Sequence, residues 1–200
     1  MLYTIGYSPF FEVEKLTNKL KELDISTVFD IRTFPYSNTF PQYNEPNFKP
    51  YLKKQSIEYK FLGDYVGGLI VKKEVQKGIN SLYDLTRNPK IKKGLNFLYK
   101  VSKNKNAVIM CAEKSPFDCH RFLAIGALLH FYTDLKVYNI IENSVFEFGQ
   151  TVKKWKNEQN LENFNINDEK LIFQRLNYIY KQLNKREEKV VPQAKNLSLF

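Results

Sequence analysis

Cysteine is scarce in this chain, two among 200 residues, which excludes a disulfide scaffold. Long apolar runs are missing too. The longest, such as Phe122–Leu129, fall far short of the roughly 20 residues that a bilayer-spanning helix needs. The first residues, MLYTIGYSPF, lack a basic stretch followed by an apolar one, so no secretory leader is expected and a cytoplasmic location is the default. Internal repeats and low-complexity tracts are absent as well. Hydrophobic residues make up 43%, enough for a real core, so a wholly disordered or fibrous chain is excluded.

Arginine is the rare cation: only five of the 31 basic side chains are arginine, and asparagine occurs 19 times. Lysine and asparagine in this abundance also follow from an AT-rich genome, so the net charge of +10 is not by itself a functional signal. Its placement says more. Residues 51–100 carry 11 positive and 4 negative side chains, and residues 151–200 carry 10 and 6, whereas the other two quarters nearly balance. A basic surface gathered this way would attract a phosphate backbone, against the plainer reading of a solvated lysine face.

The hydrophobic pattern predicts an α/β fold: a mostly parallel sheet of about five strands flanked by helices, with a C-terminal helical extension. Leu2–Tyr7, Ile25–Ile31, Ile57–Leu62, Ala107–Cys111 and Leu135–Ile141 read as strands. Ala107–Cys111 is apolar throughout, as a strand covered on both faces is. Ser8 and Pro9 resemble the cap and first position of a helix joining two neighbouring parallel strands. Asn47–Gln55 reads as a short helix and 69–102 as helical pieces broken near Gly78 and Pro89. Phe122–Phe131, apolar nearly all round, reads as a deep helix. The α/β domain is expected over 1–142. Residues 143–200 form the extension, with helices over Val145–Trp155 and from Asp168, where Ile172, Leu176, Ile179 and Leu183 share a face. Lys185–Phe200 is polar and expected to fray.

Three polar clusters follow three of the strands: Tyr7 and Ser8 after the first, Asp30 and Arg32 at the second, and Cys111–Arg121 after the fourth. In an open parallel sheet the carboxyl ends of the strands form the ligand crevice, so the three clusters should meet there. The segment Cys111-Ala112-Glu113-Lys114-Ser115-Pro116-Phe117-Asp118-Cys119-His120-Arg121 holds two thiols, an imidazole, a guanidinium and a carboxylate. Four readings compete for it. Arg121 at a helix start, with Arg32, would hold phosphate or carboxylate, with Asp30 orienting the ligand or Arg121; the plainer reading of Asp30 and Arg32, on one face of the strand, is a local ion pair. Cys119 or Cys111 would serve as a nucleophile, with Glu113 and Asp30 as acid–base groups. The spacing is not that of a phosphatase loop, because Arg121 lies ten residues after Cys111 rather than six. Cys111, Cys119 and His120 could ligate a metal, with Glu113 a fourth ligand, although no paired C-x-x-C supports it and neighbouring residues 119 and 120 tend to point apart on a helix. Buried thiols and a satisfied core histidine are the plain structural alternative. Thr33–Pro50 is a long aromatic loop in which Tyr36, Phe40, Tyr43 and Phe48 either stack on a base or anchor the loop. Gly67 and Gly68 allow a close backbone approach or simply a turn. His130 reads as structural.

At these residues the chain resembles the "domain of unknown function 488" family of bacterial and archaeal proteins. Thr4-Ile5-Gly6-Tyr7-Ser8, Asp30-Ile31-Arg32, Phe34-Pro35-Tyr36-Ser37, Val66-Gly67-Gly68, Cys111-Ala112-Glu113-Lys114 and Pro116 with Cys119-His120-Arg121 follow the family's order over roughly residues 1–142. Tyr7 stands where many members carry histidine, and Val66 where leucine is common. The resemblance implies the α/β fold and a shared polar site, and no substrate.

The leading expectation is therefore a protein that binds a phosphate-bearing ligand, nucleotide or nucleic acid. Arg32, Arg121, His120, Lys114, Tyr7, Ser8, Gly67 and Gly68 would contact it, and Cys111, Glu113, Cys119 and Asp30 would carry any hydrolase or transferase chemistry. A non-catalytic DNA- or RNA-binding module and a metal protein built on Cys111, Cys119 and His120 are the alternatives. No particular cofactor is implied, and no membrane partner.

Overall fold

The computed structural model describes residues 1–161 and 167–190. Six strands form one sheet: β1 (Leu2–Gly6), β2 (Thr27–Asp30), β3 (Glu58–Phe61), β4 (Ala107–Cys111), β5 (Val137–Ile141) and β6 (Ser144–Glu147). The order across the sheet is β3-β2-β4-β1-β5-β6. The first five strands run parallel and β6 pairs antiparallel with β5. β6 is the strand that the sequence reading lacked. Its last three residues, Val145–Glu147, lie inside the segment expected to be helical from Val145, and the helix α7 starts only at Phe148, where a capping box of Glu147 and Gln150 closes its first turn. No helix among the described residues is long and apolar enough to cross a membrane.

Strands β1 and β2 are parallel but not neighbours, because β4 lies between them with all five residues buried. The register matches Gly6 with Cys111 and Asp30 with Met110, so three strand tips end nearly level. Side chains alternate along β4. Val108 and Met110 join the core with Ile5, Leu16, Phe48 and Leu52 on one face. Ile109 and Cys111 join the core with Phe122, Leu128, Ile172 and Leu176 on the other.

The connection after β1 does not turn helical at Ser8. The Ser8 amide donates to Ala112 O (3.2 Å) and the Phe10 amide to Tyr7 O (2.8 Å), which ties the chain to the exit of β4. Helix α1 therefore begins at Val13 and runs to Glu22. Helix α2 spans Glu45–Lys54, and a short turn α3 (Gly63–Val66) leads through Gly67 into α4 (Gly68–Gln76). Helix α5 (Pro89–Asn104) takes its cap from Asn88, whose side chain accepts from the Lys90 and Ile91 amides.

The deep helix after β4 is two structures in succession, a π-helical stretch Arg121–Gly126 followed by α6 (Ala127–Tyr132). The last helix, α8 (Asp168–Val190), lays Ile172, Leu176 and Tyr180 into the same core as Ile109 and Cys111. The packing thus continues past residue 142. The part of the polar tail beyond 190 lies outside the described residues.

Candidate functional site

A pocket of about 430 Å³ opens over the level strand tips. Tyr7 follows β1, Arg32 follows β2, and Cys111 ends β4; all three reach it. Glu113, Cys119 and His120 come from the loop after β4, Gly68 and Lys72 from α4, and Tyr180 from α8. The loop following β2 supplies Thr33, Phe34, Tyr36 and Ser37.

At the pocket floor, two thiols and one imidazole meet. Cys111 Sγ and Cys119 Sγ lie 4.0 and 3.8 Å from His120 Nδ1. All three donor atoms fall within 4.8 Å of one another, and all three residues are buried. The other ring nitrogen, Nε2, sits 3.1 Å from Ile31 O, the carbonyl just beyond β2. A carbonyl can only accept, so Nε2 carries a proton, and the ring turns Nδ1 toward both sulfurs. Cys119 Sγ also lies 2.9 Å from Glu113 Oε2, within reach of a shared proton. Residues 119 and 120 thus converge, contrary to the expectation that helical neighbours point apart. Cys119 has an extended backbone (φ −136°, ψ 137°) and lies outside any helix.

The charges in this cluster are interdependent. Burial works to raise the Cys119 thiol, but the Cys111 thiol and the charges of Arg121 and His120 outweigh it and hold Cys119 well below the ordinary thiol range. Cys111 moves the opposite way, pushed up by Cys119 and by burial. Burial and the nearby Cys119 raise Glu113. His120 is also raised, because Cys119 and Glu113 overcome the burial that would lower it. Burial, with Cys119, Cys111 and Glu113 adding to it, raises the Tyr180 phenol above them.

The two guanidiniums expected to share an anion are committed elsewhere. Arg121 is fully buried and does not line the pocket; its Nη1 donates to Glu113 O (2.7 Å) and its Nη2 to Lys114 O (3.1 Å). It clamps the loop that carries Glu113. Gly6 makes room for that clamp: a Cβ there would stand 1.8 Å from Glu113 O. Arg32 reaches the pocket but is closed by Asp30, with Nε 2.9 Å from Oδ1 and Nη2 2.5 Å from Oδ2. Its Nη2 also donates to Tyr43 O (2.8 Å). Asp30 is fully buried beneath, accepts the Tyr59 hydroxyl at 2.7 Å, and does not line the pocket.

Of the remaining residues singled out in the sequence, Gly68 lines the pocket, and a Cβ there would lie 3.3 Å from His120 Nδ1. Gly67 is the cap before α4 and packs on Gly63 O. Ser8 is used in the turn after β1, and Lys114 makes a surface ion pair with Glu142 (2.8 Å); neither reaches the pocket. Tyr43 and Phe48 are buried loop anchors, whereas Tyr36 stays exposed at the pocket. Tyr180 was missed. Its hydroxyl donates to Gly68 O (3.1 Å), and the one signal for it was its place four residues after Leu176 on the apolar face of α8.

A family model described as "Domain of unknown function DUF488" matches residues 12–128. No curated protein and no solved structure matches the chain.

Proposed function

Since the chain belongs to the DUF488 family, whose description assigns no activity, we propose from the geometry that its site is a metal centre held by Cys111 Sγ, Cys119 Sγ and His120 Nδ1. The observation that carries this reading is the convergence of three buried donor atoms within 4.8 Å, on an imidazole whose far nitrogen is already engaged by Ile31 O. Metal-ligating histidines are typically oriented by such a second hydrogen bond. Two thiols and an imidazole favour zinc, or another soft divalent ion, over magnesium or calcium. Three protein ligands leave a fourth position, here on the pocket side, which is the pattern of an open rather than a purely structural zinc site. Glu113, in contact with Cys119, is the neighbouring group able to take or give a proton. A phosphate-bearing ligand entering the pocket would meet the ion, not a pair of guanidiniums.

Cobalt substitution tests the proposal. The purified full chain, stripped with chelator and titrated with Co²⁺, should bind one equivalent and show thiolate charge-transfer and tetrahedral ligand-field bands. Zinc should displace it, and Cys111→Ser, Cys119→Ser and His120→Asn should each remove the bands. A spectrum of hydrated cobalt alone from the folded chain rejects the metal centre.

A second reading rests on the 2.9 Å contact of Cys119 with Glu113 beside His120. In it Cys119 is a nucleophile for hydrolase or transferase chemistry. Rapid alkylation of Cys119 by iodoacetamide in a chain that binds no metal would favour it.

A further inference from the structure

A second cavity, about 630 Å³, lies between the exit of β3 and helix α5. Leu62, Tyr65 and Phe97 give it an apolar wall, and Lys92, Lys93 and Lys100 stand at its rim. Gly94 allows the groove to form. A Cβ there would come within 2.6 Å of Val66 Cγ1 and 3.0 Å of Tyr65 Cβ, so α3 can seat directly on α5 only because that side chain is missing.

The residues lining the groove carry one sign of charge, although Lys60 beside it pairs with Glu58 at 2.7 Å. Among the described residues no aspartate or glutamate lines it, and α5 (PKIKKGLNFLYKVSKN) carries lysines but no acid along its whole length. Its aromatic rings are held in place. Phe97 is 38% exposed and meets the buried Phe29 ring edge-on at 5.9 Å. Lys93 Nζ lies 5.3 Å from the Tyr65 ring centre and Lys60 Nζ 5.5 Å from that of Phe97. Fixed rings interleaved with cations are how single strands are bound without sequence preference, bases stacking on the rings while phosphates meet the cations. Paired bases are already stacked on each other and would leave both rings unused.

We propose that this groove binds single-stranded nucleic acid, with bases against Tyr65 and Phe97 and phosphates on Lys92, Lys93 and Lys100. The site is separate from the thiol–imidazole cluster and does not depend on metal.

The test is fluorescence anisotropy of the full chain with a labelled oligothymidine of about 12 nucleotides, a length within the usual site sizes, across a salt series. The triple variant K92Q/K93Q/K100Q should bind at least about tenfold more weakly, and its salt slope should fall by about 2, at roughly 0.7 per lost phosphate contact. Phe97→Leu and Tyr65→Leu keep apolar volume but remove the ring. Each should weaken binding about fivefold or more, by the loss of stacking, and leave the salt slope unchanged. A control, K15Q/K21Q/K153Q, removes the same charge from exposed positions elsewhere and should change affinity less than about twofold. Circular dichroism melts verify that each variant is folded. Four results overturn the proposal: no binding at low salt, equal loss in the control, a duplex of the same length binding as tightly, or polyglutamate competing as well as unlabelled oligothymidine.

Discussion

The tips of β2 and β4 lie side by side beneath one pocket and use polar residues in opposite ways. At β2, Asp30 and Arg32 satisfy each other almost completely, and Tyr43 and Tyr59 take up what is left. At β4, Cys111 and Cys119 converge on an imidazole nitrogen that can accept only one proton. The first arrangement is largely closed: a charge pair that costs much to break and leaves only Arg32 Nη1, 3.5 Å from the Tyr7 hydroxyl, lightly engaged. The second has more lone pairs than protons to fill them, which is the condition a cation satisfies. Arginine near a pocket is therefore weak evidence for an anion site until its hydrogen bonds have been traced.

The contrast can be broken first at β2. Arg32→Met leaves the Asp30 carboxylate buried without its partner and should cost about 3–5 kcal/mol in urea unfolding. The paired change of Asp30→Leu with Arg32→Met should recover much of it, because a closed ion pair can be replaced by apolar volume. At β4 the expectation is different. In chelator, Cys119→Ser should unfold within about 1 kcal/mol of the parent chain. Only the parent should then gain stability from zinc, about 2.7 kcal/mol at a hundredfold excess over Kd, read as a rise in Tm. Equal zinc stabilisation of both proteins would place the ion elsewhere.

Gly68→Ala sharpens the contrast more gently. Its Cβ would stand 3.3 Å from His120 Nδ1 and must push the ring aside. Metal affinity should fall about tenfold, the lower end of what a disturbed supporting contact costs, while the urea midpoint hardly moves. The smallest effect concerns the other histidine. Burial lowers His130, whose ring stacks on Phe148 at 4.3 Å. Its charged form is thus favoured in the unfolded chain, and stability is lost as pH falls below the ordinary histidine range, about 6.5. His130→Phe should flatten that acid limb, and an unchanged limb would assign it to other groups.

Much of the fold could be read from local pattern. Ala107–Cys111 is apolar at every position because it is the central strand, and the structure gives it those same ends. The helix expected near Asp168 begins there because Asn167 accepts from the Glu169 and Lys170 amides. What failed was non-local. Nothing in residues 1–31 tells that β4 will insert between β1 and β2, and nothing near Ser8 tells that its amide will be taken by Ala112 O. In the site, the dense segment from Cys111 to Arg121 announced itself by composition. The direction of each side chain did not. Arg121 turns away from the pocket to hold two carbonyls, and Cys119 turns toward His120 through an extended backbone. Tyr180 stayed hidden because its neighbours on α8 read only as a packing face.

The wide turn of helix at Arg121–Gly126 directly follows the Cys119–His120 pair and leads into the packed face of α6. A π-helical stretch of this kind holds one residue more than an ordinary helix would fit in the same span. Removing that residue would restore regular winding and swing everything upstream by about 100° relative to the downstream packing. Cys119 Sγ and His120 Nδ1, the two donors of the proposed metal centre, would then point away from Cys111 while the hydrophobic stripe stayed seated. The surplus residue therefore works as an angular spacer, setting the bearing of the donor pair independently of the core, and a one-residue deletion there should silence the centre without dissolving the fold.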